Sequence, residues 1–304
     1  MLDNGVCWPW KAPTLIIIHN PTAGRRNARR LRTMLAALTE QGATPEVRTT
    51  TRPGDATAIA AAAVREGARC VIAAGGDGTA AEVAQAIRGS ATALGILPLG
   101  SANVLAREIG LPFAPAALAA TLIRGHTRVH WPGEAATGGQ TRLFLQMCGV
   151  GFDAHVVATL SLARKRRLGR LAYGLRSLGA LADYPFRPIP LLIDGQPHTA
   201  ASAVISKGRL YAGPFTLCPS AVPTRPGFQV ALFGHTGRAA VLGYGAALLA
   251  NRLPQLRSLN WRAASEILVP EAGLAVQADG DALGTTPLRI TNAAEPIRII
   301  APGS

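Results

Sequence analysis

Through the first third of the chain, short uninterrupted apolar runs alternate with stretches in which apolar residues recur every three or four positions. TLIIIHNP (14–21) gathers β-branched residues and stops at a proline, which predicts a buried strand. The next segment sets Leu31, Leu35 and Leu38 on one helical face, with Arg25, Arg26, Arg29, Arg30 and Arg32 clustered near its start. A strand over 45–50, a helix over 55–66 opened by the N-cap residue Asp55, a strand over 69–74 and a helix over 80–88 follow. A strand over 93–100 and a helix over 101–109 complete the series. Such alternation predicts a doubly wound α/β fold, a parallel sheet covered by helices on both faces.

The pattern changes near 128–142, where VHWPGEAATGGQTR reads as a turn-rich crossing. Beyond it, strands are expected at 143–150, 189–194, 201–206, 228–233, 274–278 and 297–300, with a basic helical stretch over about 154–182 and a helix over 238–251. These predict a second, mainly β domain carrying helical insertions.

Length agrees, because 304 residues can fill two domains. Charge adds a partner class. Lys and Arg number 31 against 17 Asp and Glu, a formal +14, and such a surface favours nucleic acid, anionic phospholipid or phosphorylated substrates. No recognition motif or interleaved aromatic platform for nucleic acid is visible, so none is expected as a partner. Cys7, Cys70, Cys148 and Cys218 are far apart, without a CxxC pair or a histidine at ligand spacing, which predicts single buried thiols in a reducing cytoplasm. MLDNGVCWPWKAP lacks a basic segment followed by a long apolar core, and no stretch reaches the ~20 apolar residues of a membrane span. The expectation is a soluble cytoplasmic protein able to visit a membrane surface.

The chemistry concentrates where strands end. In AAGGDGTAAEVAQAI (73–87), Gly75, Gly76 and Gly78 join a strand to a helix, so backbone N–H groups and the positive helix end form an anion site. A carboxylate at Asp77 repels phosphate unless a cation lies between, and Mg²⁺ held directly or through water reconciles the two; a plain capping role for Asp77 is the alternative. NPTAGR (20–25) and LPLGSANVLAREIGLP (97–112) end two further strands in loops of small polar residues. Three such loops on one sheet edge predict a nucleotide-phosphate pocket. None matches GxGxxG before a helix or GxxxxGKS.

NPTAG, GGDGT followed by Glu82, LPLGSANVLAREIGLP, GFDAHVV (151–157) and DGD (279–281) resemble, in order and spacing, the diacylglycerol kinase catalytic family, which includes bacterial lipid kinases, sphingosine kinases and ceramide kinases. The resemblance spans about residues 14–301. It implies an N-terminal α/β nucleotide domain over 13–130, with segment 285–302 returning to it, and a C-terminal β-sandwich lipid-substrate domain over 131–284. The active site would occupy the interdomain cleft and pass the γ-phosphate of ATP, with Mg²⁺, to a lipid hydroxyl.

Residue by residue, the resemblance implies that Asn20, Pro21, Thr22, Ala23 and Gly24 contact nucleotide and that Thr50 lines the pocket. Gly75, Gly76, Asp77, Gly78 and Thr79 would cradle phosphates, Ser101 and Asn103 would sit at the third loop, and Asp77 would organise metal and water. Glu82 orients the phosphate loop or caps helical donors, the first being the expectation. Asp281 falls where the family usually has the glutamate of a DGE motif, proposed as the base for the attacking hydroxyl. Asp for Glu shortens that reach by one methylene, and Val104 stands where many members have an aspartate. Pro226 replaces an aspartate that commonly helps hold a structural Mg²⁺, which puts that accessory metal in doubt.

LARKRRLGRLAYGLRSLGAL (162–181) mixes leucines with six basic residues and suits an anionic bilayer surface or, equally, a solvated basic face. Trp8 and Trp10 fit a membrane-touching tail or ordinary packing, and His19 and His155 read as structural. A homodimer is compatible with the sequence. Two rivals remain: a catalytically weak lipid- or nucleotide-binding protein, motivated by Asp281, Val104 and Pro226, and an NAD-kinase-like phosphotransferase, which shares the GGDG loop.

Overall fold

The computed structural model describes residues 14–23, 27–159, 179–182 and 184–303. Gly24, Arg25, Arg26, Trp8, Trp10 and nearly all of the basic stretch over 162–181 lie outside the described residues. The chain divides into two compact units, one running up to His130 and resuming at Glu295, the other Trp131–Ala294.

The first unit follows the βα alternation: β1 (Thr14–His19), α1 (Asn27–Glu40), β2 (Thr44–Thr49), α2 (Asp55–Arg65), β3 (Cys70–Gly75), α3 (Asp77–Ile87), β4 (Ala93–Pro98), α4 (Val104–Glu108), α5 (Pro115–Arg124) and β5 (Thr127–His130). A strand from the end of the chain, β20 (Ile297–Ile300), completes a six-stranded sheet of order β2-β1-β3-β4-β20-β5, in which only the β20–β5 pairing is antiparallel. Every residue of β3 and β4 is buried, which explains their unbroken apolar runs. The chain leaves β1 toward β2 and returns past β1 to β3, so right-handed crossovers place α1 on one face and α2 with α3 on the other. Accordingly α1 packs with α5, and α2 with α3. Two helices start off their expected positions: α3 already at Asp77, and α4 only at Val104, which leaves Ser101–Asn103 in the loop.

The second unit is a β-sandwich. Its first sheet has the order β10 (Gln196–Ala200), β9 (Ile189–Ile193), β16 (Glu266–Val269), β19 (Leu288–Asn292), β6 (Gly133–Thr137), β7 (Gln140–Phe144). The second has β15 (Leu259–Ala264), β14 (Phe228–Phe233), β11 (Ser202–Ser206), β8 (Met147–Val150), β17 (Ala275–Ala278), β18 (Asp281–Thr285). All neighbours are antiparallel, and a short ribbon pairs β12 (Leu210–Tyr211) with β13 (Phe215–Thr216). Phe144, Ile189, Leu191, Ile267 and Ile290 of the first sheet share one core with Val150, Ile205, Val230 and Val276 of the second. Helices α6 (Phe152–Thr159) and α7 (Arg238–Leu249) are inserted between strands.

Two boundaries differ from those read in the sequence. The expected strand over 143–150 is two strands in different sheets, because the chain turns at Leu145–Gln146. The segment returning to the first unit begins at Glu295 rather than 285, because β19 pairs with β6 and β16 inside the sandwich.

Candidate functional site

The carboxyl ends of β1 and β3, where the winding of the sheet reverses, carry the first two loops found in the sequence. In open α/β sheets such a reversal is the place where ligands enter. Asn20 follows β1 directly; its N–H donates to the Ala74 carbonyl at 3.0 Å and its Nδ2 to Thr79 Oγ1 at 3.1 Å, which ties the first loop to the second. Its Oδ1 accepts from the Thr22 N–H and hydroxyl at 2.9 and 2.8 Å, closing an Asx turn. Asn27 secures the other side: Nδ2 donates to the Asn20 and Ala23 carbonyls, both at 2.7 Å, and Oδ1 bonds His19 Nε2 at 2.9 Å. His19 is therefore a strand-end structural residue. Thr50, buried after β2, lies beside the same strand end through its N–H to the His19 carbonyl at 2.9 Å.

Asp77 resolves the puzzle of a carboxylate among glycines. One of its oxygens accepts the Val104 N–H and the other the Leu105 N–H, each at 3.0 Å. It thus caps α4 from a different loop, satisfying two donors that the helix leaves open and placing a negative charge at a positive helix end. The glycines serve the same joint. A Cβ on Gly75 would meet the Thr79 side chain at 2.4 Å, and one on Gly100 would meet Gly76 Cα at 2.6 Å, so the second and third loops touch backbone to backbone. The lack of a side chain at Gly75 is required by Thr79. Asn103 holds the third loop at φ 48°, with its Nδ2 on the Gly100 carbonyl at 2.8 Å. Ser101 is exposed on that loop, as are Pro21 and Thr22 on the first, and Ala23 is half-buried.

Helix α3 begins at Asp77 without a side-chain cap on its first turn, so its N-terminal end, which includes Gly78, is suited to an anion. Glu82 reaches the loop that follows β2 on this edge. Its Oε2 accepts the Gly54 N–H at 3.2 Å and its carbonyl accepts Thr57 Oγ1, so it fixes the start of α2. The expected loop-orienting role is corrected to helix capping, because five residues into α3 the side chain faces the neighbouring helix.

In the second unit, Asp281 opens β18 just after a two-residue turn. Asp279 and Gly280 have φ of 48° and 81°, the double left-handed conformation that Asp-Gly hairpins favour, and Ala278 pairs with Asp281 across the turn. The turn is pinned twice. The Asp279 carboxylate accepts three successive N–H groups, from Leu145 at 2.7 Å and from Gln146 and Met147 at 2.9 Å, at the corner where the chain passes between sheets. The Gly280 N–H donates to Gln277 Oε1, and Gln277 Nε2 donates to Asp153 Oδ2, both at 2.9 Å. Asp153 is half-buried at the start of α6 and also accepts from the Tyr211 hydroxyl; desolvation pushes its carboxyl above the usual range, against those two donors. Asp281 lies at the rim of this network, 39% exposed, with Oδ2 at 3.7 Å from an Arg142 guanidinium nitrogen.

Sequence reasoning named Asp77, Asn20 and Asp281 and held Asp279 only as part of the DGD motif, without a role; it missed Asn27, Gln277 and Tyr211. An Asp-Gly pair between alternating residues was a readable hairpin signal for Asp279; its three partners, more than 130 positions away, were not. Among the described residues no group of three or more His, Cys, Asp or Glu side chains converges to hold a metal ion.

Models of known families divide the chain much as the fold does. That of the diacylglycerol kinase catalytic domain matches residues 14–133, and that of the YegS C-terminal NAD kinase beta sandwich-like domain matches residues 146–301. The chain belongs to the diacylglycerol kinase family. A "probable lipid kinase YegS-like" of Pseudomonas aeruginosa is 35% identical over 219 residues, 69% of this chain and 68% of the relative. A diacylglycerol kinase of Mycobacterium tuberculosis is 27% identical over 253 residues, 82% of each chain. A crystal structure of a diacylglycerol kinase from Bacillus anthracis superposes with a TM-score of 0.67 at 18% identity, covering 97% of this chain and 98% of that one, a likeness of fold alone. Membership of this lipid kinase family makes the protein a phosphotransferase. No described helix is long and apolar enough to cross a membrane.

Proposed function

We propose that the protein transfers the γ-phosphate of ATP to the hydroxyl of a lipid alcohol, diacylglycerol-like or of the sphingoid and ceramide kind. The observation that carries this reading is the joint of three loops at the reversal of the first unit's sheet, held by Asn20 to Thr79 and by Asp77 to α4. Phosphoryl transfer needs positioned donors and charge neutralisation more than covalent help, and a rigid edge of backbone amides supplies that. Asn20–Gly24, Thr50, Gly75–Thr79, Ser101 and Asn103 would form the nucleotide side.

Mg²⁺ normally keeps waters and rests on one or two carboxylates plus substrate phosphates, so the single Asp77 carboxylate fits an ion brought in on the nucleotide and not a protein-made cage. Asp77 would hold it through water, and the ion would neutralise phosphate charge. Asp281 would act as base: the lipid hydroxyl oxygen bonds to the γ-phosphorus, its proton passes to the Asp281 carboxylate, and ADP leaves with the electron pair of the broken P–O bond. The pinned Asp279–Gly280 turn keeps that carboxylate in place.

The surplus of cationic residues supports work at an anionic membrane surface, as a peripheral protein of phospholipid metabolism. Transfer of labelled phosphate from ATP with Mg²⁺ to diacylglycerol, monoacylglycerol, sphingosine, ceramide and NAD tests the reading. A labelled lipid supports it and names the acceptor. Labelled NAD, or no product with any acceptor, overturns it in favour of the NAD-kinase-like or the binding-protein alternative.

A further inference from the structure

Lys207, immediately after β11, is only 1% exposed. A buried ammonium is normally paired with a carboxylate, because an isolated charge loses its hydration. Here no described carboxylate pairs with it. Its Nζ instead donates to the carbonyls of Arg225 at 2.9 Å and Gly227 at 2.6 Å, with Asn292 Oδ1 at 3.5 Å, and lies 5.0 Å from the centre of the Phe228 ring. Asn292 Oδ1 also accepts the Gly227 N–H at 2.6 Å, so the amide fixes the turn and faces the same cation. Burial draws the ammonium's pKa down to about 8, which leaves it protonated at neutral pH.

Two backbone carbonyls and an amide oxygen around one point are the donors of a hard-cation site. The residue between the two carbonyls is Pro226, which has no ligand atom in its side chain. A divalent structural ion at this turn would therefore lack a carboxylate, and the space at the carbonyls is taken by Nζ. The accessory Mg²⁺ implied by the family resemblance does not fit these residues.

We propose that Lys207 is the resident cation of the 225–227 turn, a built-in ammonium standing in for a divalent ion, so that the β-sandwich unit needs no structural metal. This stands apart from the phosphotransfer reading, since it concerns folding in the absence of nucleotide.

The test is thermal unfolding of the full chain without nucleotide, in EDTA and in millimolar Mg²⁺ or Ca²⁺. The wild type should melt at the same temperature in all three. Lys207→Met, which keeps the length and removes the charge, should melt roughly 5–10 °C lower. Adding Pro226→Asp to Lys207→Met should create a cation response, with Tm rising in Mg²⁺ or Ca²⁺ and falling in EDTA. A wild-type Tm that drops in EDTA would overturn the proposal even if neither variant folds, and so would a double variant that folds but ignores divalent ions.

Discussion

Asp77 in the first unit and Asp279 in the second perform the same physical task at very different sequence range. Each carboxylate accepts backbone N–H groups from a separate segment: Asp77 from residues 27 and 28 positions on, Asp279 from residues 132 to 134 positions back. The first joins two loops of a repeating βα pattern; the second fastens a hairpin to a corner between sheets. The difference teaches that a carboxylate beside a candidate active site is first a structural element. Any chemistry it performs is added to that task.

Substitutions separate the two tasks. The largest expected effect is from Asp77→Ala: phosphate transfer should fall at least about 10²-fold while stability drops by only about 1–2 kcal/mol, the scale of a lost helix cap. Steady-state kinetics beside urea unfolding measures both, and a stability loss without a loss of turnover would reduce Asp77 to a cap. Asp279→Ala should show the reverse balance. Three amides at the sheet corner lose their acceptor, so unfolding free energy should fall by about 3–5 kcal/mol, with activity lost mainly through disorder of the hairpin. An unchanged urea midpoint would show that water replaces the carboxylate there.

The smallest effect is one of pH, and it again sets one residue from each unit side by side. Burial pushes the Cys70 thiol up to about 12, and burial, aided by the Asp279 and Asp153 carboxylates, pushes Cys148 higher still. Unfolded thiols ionise near 8.5, so above that pH the folded chain holds more protons and stability falls, by up to about 1.4 kcal/mol per pH unit for each thiol. Lys207, at about 8 when folded against about 10.4 unfolded, acts in the opposite sense between those values and cancels one thiol's share. Urea midpoints at pH 8.5 to 10 should therefore decline in the wild type and become nearly level in Cys70→Ala. Equal slopes in the two proteins would contradict the assignment.

The first unit was legible because β1, β3 and β4 are buried on both sides and its helices amphipathic, so both periods appear in the residues themselves. Its loops were legible as loops, and Asp77 was singled out as a lone carboxylate among glycines, although its two α4 partners were hidden. The sandwich was harder. Strands such as β15, LNWRAA, and β10, QPHTA, expose about half their residues and resemble loops, and residues 288–292 fell within the segment expected to return to the first unit because only the pairing of β19 with β6 and β16 decides their place. Asp281 was reached by resemblance, whereas Asp279, Gln277, Tyr211 and Lys207 matter through partners that no local pattern reveals.

The most direct test of the account is single-turnover transfer of labelled γ-phosphate from ATP to the accepted lipid, comparing wild type with Asp281→Asn at equal ATP occupancy. The account predicts the same nucleotide binding and a transfer rate lower by about 10²–10⁴-fold in the variant, the loss expected for a missing general base. A variant that transfers phosphate at the wild-type rate would contradict it and leave the hairpin carboxylate without a part in the reaction.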